Sequence, residues 1–237
     1  MKSISRIFIL ALLLSMFVVN SAQSQLIKTV VAVTGNVINQ INREAESVQI
    51  FVFDNTGKKI NSVKSNAAEG GYYYVTGLYP GNTYYFEVKD KEFLNERYEV
   101  MIPNTDKYIE ISRDFLIKPK VSGTKFKLLV TPFESNKSKL RFGSSFLLND
   151  LLNTLKSNPT TKFTIEAYPD NNDNSSKNEE LTKKRAESLV DFFEVHGVDP
   201  SNLVIKGSKM TDSNTPLPSQ KAAKGKKYIG PVYVIIN

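Results

Sequence analysis

From residue 29 to residue 111 the chain alternates apolar and polar positions in short runs, most of them bounded by a turn signal. Residues 29–37 are rich in β-branched side chains and are interrupted by Gly35. Residues 48–53 follow and stop at Asp54-Asn55-Thr56-Gly57, residue types that tolerate the backbone of a tight turn. Further runs are 59–65, then 72–75 after Gly70-Gly71, 83–88 after Tyr79-Pro80-Gly81-Asn82, 97–102 and 108–111. No helical period competes with them. Short strands separated by turn signals predict a small all-β sandwich.

The period changes near residue 117. Pro119, Ser122 and Gly123 mark a linker over 117–124, and the apolar run 126–133 is predicted as a strand. Leu148, Leu151, Leu152 and Leu155 recur at i, i+3, i+4, i+7, the face of a helix that Asn158-Pro159 stops. Residues 162–167 alternate as a strand. A second helix is predicted to start with Asn178 as its N-cap, followed by Glu179-Glu180 at the positive end of the dipole. It should end at His196-Gly197. Residues 202–206 and 231–236 read as strands on either side of a long polar loop. The order β-α-β-α-β-β predicts an α/β sandwich with both helices on one sheet face.

Targeting and composition narrow the setting. Residues 7–19 are apolar except for Ser15, follow Lys2 and Arg6, and lead to Ala22-Gln23-Ser24. That is the layout of a secretory signal peptide over 1–24, too short to span a bilayer, which takes about 20 apolar residues. The expectation is therefore an exported, periplasmic protein. There is no cysteine, which excludes disulfides, thiolate metal sites and a lipidated cysteine. The formal net charge of +7 favours an anionic envelope polymer as partner, and nucleic acid is a poor partner for an exported chain. The single histidine, His196, sits beside a helix-ending glycine, and neither Gly-x-Ser-x-Gly nor His-Glu-x-x-His occurs. Nucleophilic and zinc hydrolases lack their parts here, so the chain is expected to be no enzyme and to carry no cofactor or metal.

One constellation carries candidate chemistry. Asn178 and Arg185, seven residues apart, share a helix face with Leu181 and Leu189. A guanidinium emerging beside apolar packing stays charged and needs an acceptor. That acceptor is either a protein carboxylate or the carboxylate of a ligand, gripped by a bidentate fork. Asp170 lies in the loop leaving the preceding strand, where α/β sheets commonly bind ligands.

Two family resemblances follow from these residues. Gly35-Asn36-Val37, residues 48–54, Gly71-Tyr72 and Leu78-Tyr79-Pro80-Gly81-Asn82-Thr83-Tyr84 resemble the carboxypeptidase regulatory-like, or transthyretin-like, sandwiches. Asn178, Leu181, Thr182, Arg185, Ala186, Leu189 and Phe193 resemble the helix motif of the OmpA-like C-terminal peptidoglycan-binding domains. The interval from Asp170 to Arg185 and the segment 132–140 resemble that family's binding loop and first strand. The chain then divides into a signal peptide (1–24), a β-sandwich (25–116), a linker (117–124) and an OmpA-like domain (125–237).

The second resemblance implies non-covalent binding of peptidoglycan through the diaminopimelate of its stem peptide. Asp170 would receive the ammonium and Arg185 the carboxylate; Asn178, Asn136 and Thr182 would complete the site, with 134–136 as a wall. It also implies a link from the cell wall to the outer membrane or to an envelope complex, with an envelope protein as a possible partner of the sandwich. Departures from the family pattern are Tyr168-Pro169 in place of His-Thr, Asp173 in place of Gly, and Ile229-Gly230-Pro231-Val232 in place of Asn-Arg-Arg-Val. Lys226 or Lys227 could stand in for the missing arginine. These departures leave open a structural adaptor that has lost ligand binding and docks a protein instead.

Overall fold

The computed structural model describes residues 30–215, 217–218 and 227–237; the expected signal peptide and Lys226 lie outside them. The N-terminal half forms β1 (Val31–Asn39), β2 (Gln49–Phe53), β3 (Lys59–Lys64), β4 (Tyr72–Leu78), β5 (Thr83–Val88), β6 (Glu96–Met101), β7 (Glu110–Ser112) and β8 (Phe115–Ile117). One sheet runs β3-β2-β5-β6, all antiparallel. The other is built on β1, which pairs antiparallel with β4 and parallel with β7 and β8.

Alternation decides which side chains meet between the sheets. Ile50, Val52, Tyr84, Phe86 and Val88 face Val33, Val37, Tyr73, Val75 and Phe115 in one buried cluster. Each side chain fully buried there contributes about 1.5–3 kcal/mol. Phe115 stacks between Tyr73 and Tyr98, with ring centroids 5.0 and 4.4 Å away. The strand that brings it there crosses β1 closely: a Cβ on Gly35 would lie 2.1 Å from the Arg113 carbonyl oxygen. The tyrosines divide by parity, Tyr73 inward and Tyr72 and Tyr74 outward.

The C-terminal half forms β9 (Lys125–Lys127), α1 (Ser144–Ser157), β10 (Phe163–Ala167), α2 (Ser175–Val195), β11 (Leu203–Gly207) and β12 (Val232–Ile236). The sheet order is β11-β10-β12-β9, with only β10 and β11 parallel. Leu148, Leu152 and Leu155 of α1 and Ala186, Leu189 and Phe193 of α2 share a core with Phe163, Ile165, Val234 and Ile236. This is the expected α/β sandwich, with two local corrections. The apolar run 126–133 is a strand only as far as Lys127, because β12 supplies register partners for Lys125, Phe126 and Lys127 alone. The N-cap of α2 is Asn174, not Asn178: its side chain accepts the Lys177 N–H, and Asn178 lies inside the helix, facing the core. No helix among the described residues is long and apolar enough to cross a membrane.

The two halves are stitched at one place. Leu94, just before β6, is fully buried in the core of the C-terminal half. Asn95 donates its backbone N–H to the Asn158 side chain, and Asn158 Nδ2 donates back to the Asn95 carbonyl, each at 2.9 Å. Buried Glu96 accepts from Lys118 Nζ at 2.6 Å and from Thr154 Oγ1 of α1 at 2.9 Å. Residues 118–120 pair back onto 92–94 through Leu94 N–H to the Lys118 carbonyl and Lys120 N–H to the Glu92 carbonyl.

Candidate functional site

Helix α2 presents one buried face that changes character along its length. Its first turns bury Asn178, Thr182 and Arg185; its later turns bury Ala186, Leu189, Val190 and Phe193. The apolar part covers the sheet, while the polar part lies over the C-terminal ends of β10 and β11. The single O–H of Thr182 lies within reach of the Asn178 carbonyl in its own helix, at 2.9 Å, and of the Ser208 carbonyl across from it, at 3.0 Å. Asn178 Nδ2 bridges the Asn171 and Lys209 carbonyls at 2.8 and 3.2 Å. These two side chains fix the loops that follow β10 and β11 against the helix.

Arg185 is completely buried, and each of its nitrogens has acceptors. Nε donates to the Lys137 carbonyl at 3.0 Å. Nη1 donates to Asp170 Oδ1 at 2.7 Å and to the Tyr168 carbonyl at 3.3 Å. Nη2 donates to Asp170 Oδ2 at 2.9 Å and to the Glu134 carbonyl at 3.2 Å. Five N–H groups meet five acceptors, so the fork is saturated within the protein. The guanidinium carbon also lies 5.3 Å from the centre of the Phe133 ring.

Asp170 is equally engaged. Besides the two Arg185 contacts, Oδ1 accepts the Gly230 N–H at 2.8 Å and Oδ2 accepts the Asn136 N–H at 2.7 Å. Burial by itself would raise this carboxyl; the bonds from Arg185, Asn136 and Gly230 outweigh it and hold the group below its ordinary value. Asn136 reaches its position through a left-handed backbone, φ 57°, which asparagine tolerates better than most residues. Gly230 is required by close approach, since a Cβ there would lie 2.1 Å from the Tyr168 carbonyl oxygen.

The pair thus joins four segments: the loop 133–137, the loop after β10, helix α2, and the chain entering β12. Asp170, Arg185 and the Asn136 backbone meet directly. Thr182 and Asn178 sit about one and two turns away on the same helix face, holding neighbouring loops. The sequence did not reveal the carbonyls of Glu134, Lys137 and Tyr168, the Gly230 donor, or the reciprocal Asn172–Thr211 link at 2.8 and 3.1 Å. Main-chain partners leave no residue-type signal; only Gly230 itself could have hinted at a close approach. Among the described residues, no group of three or more His, Asp or Glu is placed to hold a metal.

Comparison with known proteins finds one family match, in this half of the chain, and several similar solved structures. Residues 132–225 match the OmpA family. Among solved structures, the peptidoglycan-associated lipoprotein of Burkholderia pseudomallei is 19% identical, over 45% of this chain and 88% of that one, with a TM-score of 0.36. The OmpA-like domain of FopA1 from Francisella tularensis subsp. tularensis SCHU S4 is 16% identical, over 49% and 83%, with a TM-score of 0.35. The pilus 2b backbone protein of group B streptococcus is 15% identical, over 37% and 40%, with a TM-score of 0.29. No curated protein matches the chain in sequence.

Proposed function

Starting from a C-terminal segment that matches the OmpA family over residues 132–225, we propose that this protein binds peptidoglycan non-covalently and holds the cell wall to the outer membrane or to an envelope complex. The observation that carries the reading is the Asp170–Arg185 pair, set at the strand end on a helix with the family's motif. The finer proposal is that the ligand is the diaminopimelate of the stem peptide. Its ammonium end is drawn to Asp170 and its carboxylate to Arg185, with Asn136, Asn178 and Thr182 shaping the surroundings.

In this proposal, burial of the pair bears on how the ligand enters. Arg185 has no spare N–H, so a ligand carboxylate reaches it by replacing the Glu134 and Lys137 carbonyls. Binding is then an exchange of partners, with the loop 134–137 withdrawing as the ligand enters. No bond is made or broken, and the role is binding rather than catalysis.

The test is pull-down of the folded protein with purified sacculi, followed by titration with a diaminopimelate-containing stem peptide. A charged hydrogen bond contributes about 1.5–3 kcal/mol, so Asp170→Asn should weaken binding about ten- to a hundredfold. Arg185→Ala should weaken it more, and Arg185→Lys should rescue only partly because a point charge cannot reproduce the fork. Folded wild type that ignores sacculi would favour the second reading, an adaptor docking a protein partner. The saturation of Arg185 within the protein is the observation on that reading's side.

A further inference from the structure

The loop between β9 and α1, with the first turn of α1, carries four apolar side chains that the fold does not cover. Leu129 is 97% exposed, Phe142 is 105%, Phe146 is 86% and Val130 is 47%. Isolated exposed apolar residues need no explanation, but these are gathered. Arg141 donates its N–H to the Pro132 carbonyl at 3.0 Å, and Ser144 Oγ reaches the same oxygen at 3.2 Å. Those bonds bring the stretch holding Leu129 and Val130 beside the stretch holding Phe142 and Phe146. Phe142 precedes the Gly143 N-cap of α1 and Phe146 lies in the first turn, so both ride on the start of a helix.

Their charged surroundings indicate what would cover them. Between residues 127 and 146 the chain carries Lys127, Lys137, Lys139 and Arg141 against a single carboxylate, Glu134. All four cations are exposed. Apolar prongs within a basic collar match an anionic bilayer surface: rings enter the headgroup boundary while lysine and arginine stay at the phosphates.

We propose that Leu129, Val130, Phe142 and Phe146, with Lys127, Lys139 and Arg141, form a peripheral insertion site for an anionic lipid surface. The site adjoins the Asp170–Arg185 pair through the loop 133–137 but shares no residue with it. It would hold the protein at a membrane surface through its own side chains, with no spanning helix among the described residues taking part.

The experiment is co-sedimentation of the protein with large vesicles of phosphatidylethanolamine containing about a quarter phosphatidylglycerol, compared with phosphatidylcholine alone. Wild type should bind the anionic vesicles, and rising salt should weaken the binding. The double variant Phe142→Ser, Phe146→Ser should lose about tenfold or more in partitioning, and Lys139→Glu with Arg141→Glu should lose binding at low salt. Since both phenylalanines are exposed, the double variant should keep its circular dichroism and its sacculus pull-down, which separates this test from that of the wall-binding site. Phe142→Trp should shift its emission to the blue on vesicles and be quenched by brominated lipid. Absence of wild-type binding, or equal binding by the double variant, overturns the proposal. So does concentration-dependent self-association without lipid that the double variant abolishes, which would make the patch a contact between copies.

Discussion

Asp170 and Glu96 are buried carboxylates that each join distant segments of this chain, and they are satisfied to different degrees. Asp170 takes a bidentate arginine and two backbone N–H groups. Glu96, at the junction of the halves, takes one lysine and one hydroxyl. At Asp170 the donors outweigh burial and the carboxyl is held below its ordinary value. At Glu96 burial outweighs Lys118 and Thr154 and pushes the carboxyl up. Burial raises both acids, and an internal acid keeps its charge where its donors outweigh the depth of its burial.

The harshest way to break the comparison is Arg185→Ala. It strands Asp170 as an uncompensated buried charge and should cost about 3–5 kcal/mol of stability, read as a shift in the urea midpoint. A shift below about 1 kcal/mol would show that the pair is not the keystone of its four segments.

Next comes Leu94→Ala. This side chain belongs by sequence to the first half but fills the core of the second. Its removal should cost about 2–5 kcal/mol, and the loss should appear in unfolding monitored from the C-terminal half. For the same reason a fragment 125–237 should fold with a lower midpoint than the same segment within the whole chain. An equal midpoint would mean that the stitch carries little energy and that the linker 117–124 separates independent domains.

A smaller effect should sharpen the contrast through pH. Asp170 has a folded value below its ordinary 3.8, so its contribution is complete above that pH and is lost as the pH falls through the depressed value. Glu96 has a folded value above its ordinary 4.5, so its contribution is complete below that pH and is lost as the pH rises through the raised value. Denaturation between pH 3 and pH 7 should therefore show Glu96→Gln changing stability by less than about 1 kcal/mol at neutral pH, because the amide oxygen still accepts from Lys118 and the amide NH2 donates to the Thr154 oxygen once that hydroxyl turns to the Asp150 carbonyl. The same variant should remove the loss that wild type suffers as its acid ionises. A wild-type and variant pair with parallel pH curves would contradict the raised value.

The smallest effect should come from Lys137→Ala. Arg185 binds the carbonyl of this residue and makes no use of its side chain. The side chain pairs only with exposed Glu134, and exposed pairs contribute little. The unfolding midpoint should not move.

The sequence was most legible where side chains carry the pattern. The period along Leu148, Leu152 and Leu155 placed the first helix, and His196-Gly197 marked the end of the second. The interval between Asp170 and Arg185 brought together two residues that do meet. It was least legible where backbone groups or missing partners decide. Residues 128–133 look like the continuation of a strand, yet β12 starts at Val232, and its carbonyl takes the Leu128 N–H as the last bond of the ladder. Asn174 and Asn178 are equally good caps by residue type; packing of Asn178 under the loops selected the earlier one. The parallel pairing of β1 with β7 and β8 needs connections that no turn signal announces.

The stitch at the junction also sets how the protein responds to being pulled. If one half is held and the other drawn away, tension enters at residues 118–120, which lie paired on 92–94 by two backbone bonds. Those bonds, the Asn95–Asn158 exchange and the seat of Leu94 must yield before the segment 118–124 can straighten. Once they yield, each freed residue adds roughly 3.5 Å of reach, so the joint is stiff under a weak pull and lengthens in a step under a strong one.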